Sequence, residues 1–209
     1  MVCPPRVARL VFVFVVAACD VGLTTSAFDD KSLLMESWRP TALRPAPALI
    51  AAGEAACRER QDGGDLPLVV TDARGERRIQ FVFADESNVA TCRFWLNEDG
   101  SISVDAHLAG PLEGVGEADS DGITIEYSRG TGTGEEDDPD NWDEQLIVGR
   151  VDPSVAAVSV RPQGHAPLVA SLHDGWYTAW WPKLHTRYVV AASDSTGALV
   201  AEDSVGFDR

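Results

Sequence analysis

The chain has 209 residues, of which 44% are hydrophobic and 24% charged, so its composition is that of a folded globular domain and not of a disordered chain. Lysine and arginine total 17 against 33 aspartate and glutamate residues, which gives a formal net charge of −16. A field of this sign repels nucleic acid and anionic lipid head groups and attracts cations and basic partners, which excludes nucleic-acid binding.

Residues 1–18 have the pattern of a secretory signal peptide. Arg6 and Arg9 make the start positive, and nine apolar residues follow at 10–18. A helix that spans a bilayer needs about 20 apolar residues, whereas a run of nine matches the apolar part of a signal peptide. Removal of residues 1–18 takes away two arginines and no acidic residue, so the mature chain carries 15 − 33 = −18 charges.

The segment Val16-Ala17-Ala18-Cys19 resembles a bacterial lipobox, in which an aliphatic residue and two small residues precede a cysteine. The resemblance implies that the thiol of Cys19 carries a diacylglyceryl group and that Cys19 becomes the first residue. Two acyl chains are enough for stable anchoring. We therefore expect a protein held on the extracytoplasmic face of the cell membrane by its lipid. Two alternatives remain open: cleavage after Ala27, which gives a secreted protein, and an uncleaved anchor.

The four cysteines fit this export route. Cys3 is lost with the signal peptide and Cys19 takes the lipid, which leaves Cys57 and Cys92 in an oxidising compartment. We expect these two to form a disulfide, which would contribute about 3–4 kcal/mol by restricting the unfolded chain. The alternative is a pair of buried free thiols.

The segment before the first regular element is predicted to be a tether, at residues 19–46, interrupted by Pro40 and Pro45. A helix is predicted at 47–61, because Pro47 is acceptable in a first turn and alanine, leucine and isoleucine follow it. Gly63 and Gly64 end the helix, and a linker runs to residue 65.

From residue 66 to 209 the hydrophobic pattern has a period of two, which is typical of strands with one buried and one wet face. Turn signals such as Asp174-Gly175 separate about ten short segments of this kind. The pattern predicts a mainly β fold, an antiparallel sandwich of the Ig-like or fibronectin-like type with an N-terminal helix. Cys92 is predicted to point inward beside Phe94, so its disulfide would attach the helix to the sheet.

The C-terminal part resembles a group of exported actinobacterial proteins of unassigned activity. The resemblance lies in residues 147–160, in the segment DGWYTAWWP at 174–182, and in a closing hairpin at Gly197, together with the upstream cysteine pair. These proteins share a "GR-V-P-V…DGW-AWWP" ending. The resemblance implies export and a β fold, and it supplies no catalytic residue.

An acidic loop at 129–144 is the first candidate site. Calcium takes six to eight oxygen ligands, and this loop is rich in carboxylates. A weak calcium site is therefore considered at Glu135, Glu136, Asp137, Asp138 and Asp140. The alternative is a solvated, self-repelling loop. Residues 117–128 fail the EF-hand pattern, because the twelfth position holds Ser128 in place of the bidentate glutamate.

The tryptophan-rich segment is the second candidate site. Trp176 and Trp180 share one strand face, while Tyr177 and Trp181 take the other. Exposed rings of Trp176, Trp180 and Trp181 would suit stacking on a sugar or a protein partner. The alternative, which we favour, is that both faces are covered, because large aromatic side chains are usually buried.

Enzyme and metal signatures are weak in this sequence. His107, His165, His173 and His185 have no metal-ligand spacing, and we expect them to be solvated. Nucleophile-elbow, P-loop and dinucleotide motifs are absent. A glycosidase-like pair of carboxylates would need a pocket that the sequence does not reveal.

The function expected from the sequence is that of a membrane-anchored extracytoplasmic binding or accessory module without catalytic activity. Its expected partners are the membrane, through the lipid, and an envelope protein or glycan. Two alternatives are an envelope-acting hydrolase of glycan or peptide, and a calcium-stabilised structural protein. No cofactor other than calcium is considered.

Overall fold

The computed structural model describes residues 38–60, 65–111, 122–131, 144–163, 166–182 and 187–206. They form one α-helix and twelve strands in three antiparallel four-stranded sheets. The elements are α1 Pro47–Arg60, β1 Leu68–Gly75, β2 Arg78–Ala84, β3 Asn88–Leu96, β4 Ile102–Pro111, β5 Ile123–Thr131, β6 Glu144–Val151, β7 Ala157–Pro162, β8 Leu168–Val169, β9 Ser171–His173, β10 Trp176–Pro182, β11 Arg187–Ser193 and β12 Leu199–Gly206.

The three sheets are named here by their strand order. Sheet I is β1-β2-β3-β4, sheet II is β5-β6-β10-β9, and sheet III is β12-β11-β7-β8. The mainly β, antiparallel prediction is confirmed. The structure differs in adding a third sheet, so sheet II is covered on both faces. No helix among the described residues is long and apolar enough to cross a membrane.

Helix α1 covers the outer face of sheet I. Its contact side is apolar and includes Leu49 and Ile50, which pack on Phe81 and Phe94 of β2 and β3. Gly53 brings the helix close, because a Cβ there would lie 2.7 Å from the ring of Phe81. The predicted Cys57–Cys92 disulfide is present, joins α1 to β3 with a Cα–Cα distance of 5.9 Å, and is fully buried.

Sheet II forms two different interfaces. Its contact with sheet III is a large apolar core built on residues such as Ile147, Trp181 and Tyr188. Its contact with sheet I is apolar at one end, around Val82 and Val148, and charged at the other. The order of layers is therefore helix, sheet I, sheet II, sheet III.

The last part of the predicted tether is bound to the sheets. Residues 38–43 cross the sheets as an extended strap, with Thr41 in a parallel bridge to Val169. Trp38 packs edge-on against Trp180 at 6.5 Å between ring centroids. Backbone amides of the strap donate to β1, as in the bond from Leu43 N to Ala73 O. This binding depends on distant residues, so local composition could not reveal it. Residues 19–37 lie outside the described part of the chain.

Candidate functional site

The three tryptophans of β10 have different environments. Trp181 faces sheet III and packs on Tyr188, with ring centroids 5.4 Å apart. Trp180 faces sheet I, where the guanidinium carbon of Arg78 lies 3.8 Å from its ring centroid. Both are almost fully buried. The expectation of a ligand surface is therefore wrong for Trp180 and Trp181, because a sheet covers each face of β10. Trp176 is only half-buried.

Trp176 belongs to a row of side chains that runs across all four strands of sheet II. Thr124 of β5 is paired with Arg150 of β6, Arg150 with Trp176 of β10, and Trp176 with His173 of β9. All four lie on the face toward sheet I, and Trp176 also packs against the apolar contact between the two sheets. We call Thr124, Arg150, Trp176 and His173 the cross-strand row. Neighbouring strands are about 4.8 Å apart, so the row is about 14 Å long.

A tight turn sets one end of the row. Asp174 and Gly175 both have positive φ values, 47° and 79°, as a two-residue hairpin turn requires. The predicted Asp174-Gly175 turn is thus present, and it places His173 directly opposite Trp176. The side chain of His173 is 69% exposed. The ring therefore extends the row into solvent.

A buried carboxylate fixes the centre of the row. Glu126 is 8% exposed and accepts hydrogen bonds from Arg150 Nε at 2.7 Å and from Thr124 Oγ1 at 2.9 Å. The guanidinium carbon of Arg150 lies 5.4 Å from the ring centroid of Trp176. The carboxylate therefore holds the arginine beside the indole, while the arginine side chain stays 47% exposed.

The reverse side of sheet II keeps this row in place. The hydroxyl of Tyr177 donates to the carbonyl of Thr124 at 3.0 Å. Its ring fills the space over Gly149, where a Cβ would lie 2.5 Å from the ring and 2.0 Å from the Thr124 carbonyl. Burial raises the pKa of Tyr177 well above its usual value, so the phenol stays protonated and donates this bond. The row rests on a rigid core.

A second polar group lies between sheets I and II at the opposite end of their interface. We call Arg78, Arg93, Asp105, His107 and Glu144 the charged cluster. Glu144 forms ion pairs with Arg78 and, at 3.4 Å, with Arg93. Arg93 also binds Asp105, and His107 Nε2 lies 2.8 Å from Asp105 Oδ1. His107, predicted to be solvated, is thus partly enclosed and paired.

The electrostatics of the charged cluster suit adhesion between sheets better than proton transfer. Desolvation alone would raise the pKa of Asp105, but hydrogen bonds from His107 and the guanidinium of Arg93 outweigh it and lower the pKa to about 2. A general acid needs a raised pKa. Burial also lowers the pKa of Arg78, which Glu144 partly offsets. The cluster holds the two sheets together by compensating buried charges.

A third polar pair, Asp72 with Arg74 on β1, is completely enclosed. Desolvation raises the pKa of Asp72, opposed by the charge of Arg74. The carboxylate accepts from Arg74 Nε and from Ser171 Oγ, both at 2.6 Å. Arg74 in turn donates to the carbonyls of Pro40 and Val169, both at 2.6 Å. The pair fastens the strap to three strands and offers nothing to a ligand.

The calcium site stays a prediction, because the carboxylates considered for it lie outside the described part of the chain: Glu135, Glu136, Asp137, Asp138 and Asp140. His165, His185 and Cys19 lie outside it as well. Within the described ranges, no group of three or more histidine, cysteine, aspartate or glutamate side chains could hold a metal ion. Both ends of the range predicted for the acidic loop belong to strands, since β5 reaches Thr131 and β6 starts at Glu144.

Comparison with known proteins gives no match to a family model, to a curated protein or to a solved structure. The resemblance to exported actinobacterial proteins therefore stays a prediction. Function has to be argued from the geometry of this chain alone.

Sequence reasoning missed Thr124, Glu126 and Arg150 as members of a site. The alternation in β5 does mark Thr124 and Glu126 as polar-face residues. Their proximity to Arg150 and Trp176 depends on the strand order of the sheet. In that order β10 lies beside β6, although β7, β8 and β9 come between them in the sequence. A turn signal at Asp174-Gly175 was the one local indication of the pairing of His173 with Trp176.

Proposed function

We propose that this chain is a lipid-anchored, extracytoplasmic binding module without catalytic activity, which holds its ligand at the cross-strand row. The signal-peptide pattern and the lipobox at Cys19 support the location. The disulfide supports it as well, because such bonds persist mainly in oxidising compartments.

The order of the strands from β5 to β12 supports an Ig-like domain as the carrier of this function. In sheet II the order β5-β6-β10-β9 corresponds to A-B-E-D of an immunoglobulin domain. In sheet III the order β12-β11-β7-β8 corresponds to G-F-C-C′. The chain departs from the antibody pattern in its disulfide, which joins α1 to β3 and does not link strands B and F.

The proposal rests on the side chains of the cross-strand row, which are partly exposed and are held in place by their neighbours. Trp176 is fixed by pairing on both sides, and Arg150 is fixed by Glu126. Groups held in place before binding lose little conformational entropy when a ligand arrives. Partly exposed Trp and Arg side chains are also the residue types that contribute most to binding interfaces.

Two enclosed or paired carboxylates, Asp72 and Asp105, give no support to hydrolysis. A hydrolase needs an accessible acid with a raised pKa. Asp72 has a raised pKa but is enclosed, and Asp105 is accessible but has a lowered pKa. Neither residue meets both requirements.

Site-specific photo-crosslinking in native membranes tests the proposal. A photoreactive residue at His173 is expected to give a defined adduct, while the same residue at the exposed Ser204 of β12 is expected to give none. Addition of Arg150→Gln should remove the adduct at position 173. Equal labelling at both positions, or no adduct at either, would refute the binding site. Intact mass of the purified protein tests the anchor: a diacylated chain starting at Cys19 supports it, and a lipid-free chain starting at Phe28 refutes it.

A further inference from the structure

We propose that the ligand of the cross-strand row is a neutral oligosaccharide; this inference rests on the proposed binding function and specifies its chemistry. Three properties of the row support this inference: its hydrogen-bond donors, its local charge and its shape.

Within the described part of the chain, the row has several hydrogen-bond donors without an acceptor. Arg150 uses Nε for Glu126, and no described residue accepts from its two terminal amino groups. The indole N–H of Trp176 has no acceptor among the described residues, and Trp176 is only half-buried, whereas Trp95, Trp180 and Trp181 are buried. A ligand that fits must therefore supply acceptors, such as hydroxyl or carbonyl oxygens.

The charge of the row favours an uncharged ligand. The buried carboxylate of Glu126 already compensates Arg150 at 2.7 Å, and the carboxylate of Asp174 lies 3.5 Å from His173. An anionic ligand would meet no uncompensated cation here. It would also approach a chain with a net charge of −16, whose field repels it.

The shape of the row favours a saccharide over an extended peptide. Peptides that bind sheets pair with an exposed edge strand through their backbone. The cross-strand row instead runs perpendicular to four paired strands, over about 14 Å, so its contacts are made by side chains alone. An aromatic ring bordered by planar donors, as at Trp176 and Arg150, complements a sugar, whose ring has an apolar face and a hydroxyl-rich edge.

The test is a titration of the disulfide-bonded mature chain with two neutral probes, the β-1,4-linked tetramers of N-acetylglucosamine and of glucose. The indole N–H signal of Trp176, assigned with Trp176→Phe, is followed by NMR. At least one probe is expected to shift this signal with a Kd of about 1 mM or lower. Binding should be unchanged from about 50 to 500 mM NaCl, because no net charge is neutralised.

A matched pair of variants makes the test specific. Arg150→Gln is expected to weaken binding at least about tenfold, since it removes charge-assisted donors. Arg161→Gln is the control, because Arg161 is as exposed as Arg150, at 47%, and forms an ion pair with Glu202 on the far face of sheet III. It should leave the Kd unchanged. The Kd values are compared at a temperature where circular dichroism shows both variants folded, because Arg150→Gln leaves the buried Glu126 without its cation and is expected to melt lower than Arg161→Gln.

Two outcomes would overturn the inference. The first is no shift of the Trp176 signal with either tetramer. The second is salt-sensitive binding of a lysine-rich or phosphate-bearing probe at the row in place of the tetramers. In either case a surviving crosslink at position 173 would leave the binding module intact with another ligand, whereas loss of both would refute the proposed function too.

Discussion

Removal of the negative charge at the centre of the charged cluster should strongly destabilise the contact between sheets I and II. Glu144 is 1% exposed and pairs with Arg78, itself 2% exposed, and with Arg93. The variant Glu144→Gln keeps the shape of the side chain. Arg93 retains Asp105 as a partner, but Arg78 loses its principal counter-charge. Breaking a buried pair in this way costs about 3–5 kcal/mol.

The measurement is urea unfolding at pH 7, followed by tryptophan fluorescence and circular dichroism with the disulfide intact. The free energy of unfolding should fall by about 3–5 kcal/mol, and the melting temperature by about 6–20 °C for a chain of this size. Glu202→Gln is the matched control. It breaks an exposed pair, 45–47% accessible, which is worth about 0–1 kcal/mol.

A double variant tests whether the loss of stability comes from the remaining buried charge of Arg78 or from the lost attraction between Arg78 and Glu144. Arg78→Met added to Glu144→Gln removes the cation whose principal counter-charge is Glu144, and stability should return toward that of the wild type. The reasoning is refuted if Glu144→Gln costs no more than Glu202→Gln. It is also refuted if the double variant is less stable than Glu144→Gln alone.

Further predictions concern the disulfide, one carboxylate, one glycine and the acidic loop. Cys57→Ser with Cys92→Ser should lower the free energy of unfolding by about 4 kcal/mol for a separation of 35 residues, measured by urea unfolding against the oxidised wild type. The pKa of Asp105 is lowered from 3.8 to about 2, so its contribution is complete above the unfolded-state pKa and is lost as pH falls from about 4 to 2. Asp105→Asn should remove that part of the acid transition; an unchanged pH profile would contradict the pairing. Gly149→Ala should prevent folding or displace Tyr177 and Thr124, since its Cβ would overlap the ring of Tyr177 and the carbonyl of Thr124; a native-like melting curve would contradict this close packing. Calcium should raise the melting temperature, and chelator reverse it, only if the acidic loop holds an ion.

The strands were predictable because alternation is a local signal. Ile79, Phe81 and Phe83 do share one buried face. Alternation does not say what covers the other face, however. Gln80 and Val82 lie on the face that the pattern marks as wet, yet both are buried, because sheet II lies over them. A pattern of period two identifies faces, while the number of stacked sheets depends on long-range pairing.

The tryptophan segment shows the same limit at the candidate site. Periodicity separates Trp180 from Trp181 but cannot tell that two different sheets bury them. It also cannot distinguish Trp176, which lies four residues from Trp180 on the same face, packs against the apolar contact with sheet I and is only half-buried. How much of one strand face is buried depends on the covering sheet, which local periodicity does not describe.

The position of the strap separates the point where the described chain enters the fold from the cross-strand row. The described chain enters the fold at Trp38, whose indole N–H lies 3.4 Å from the carbonyl of Trp180. Trp176 lies four residues earlier on β10, about 13 Å away along the strand. The strap therefore covers the Trp180 end of β10, and the cross-strand row lies at the other end of the strand.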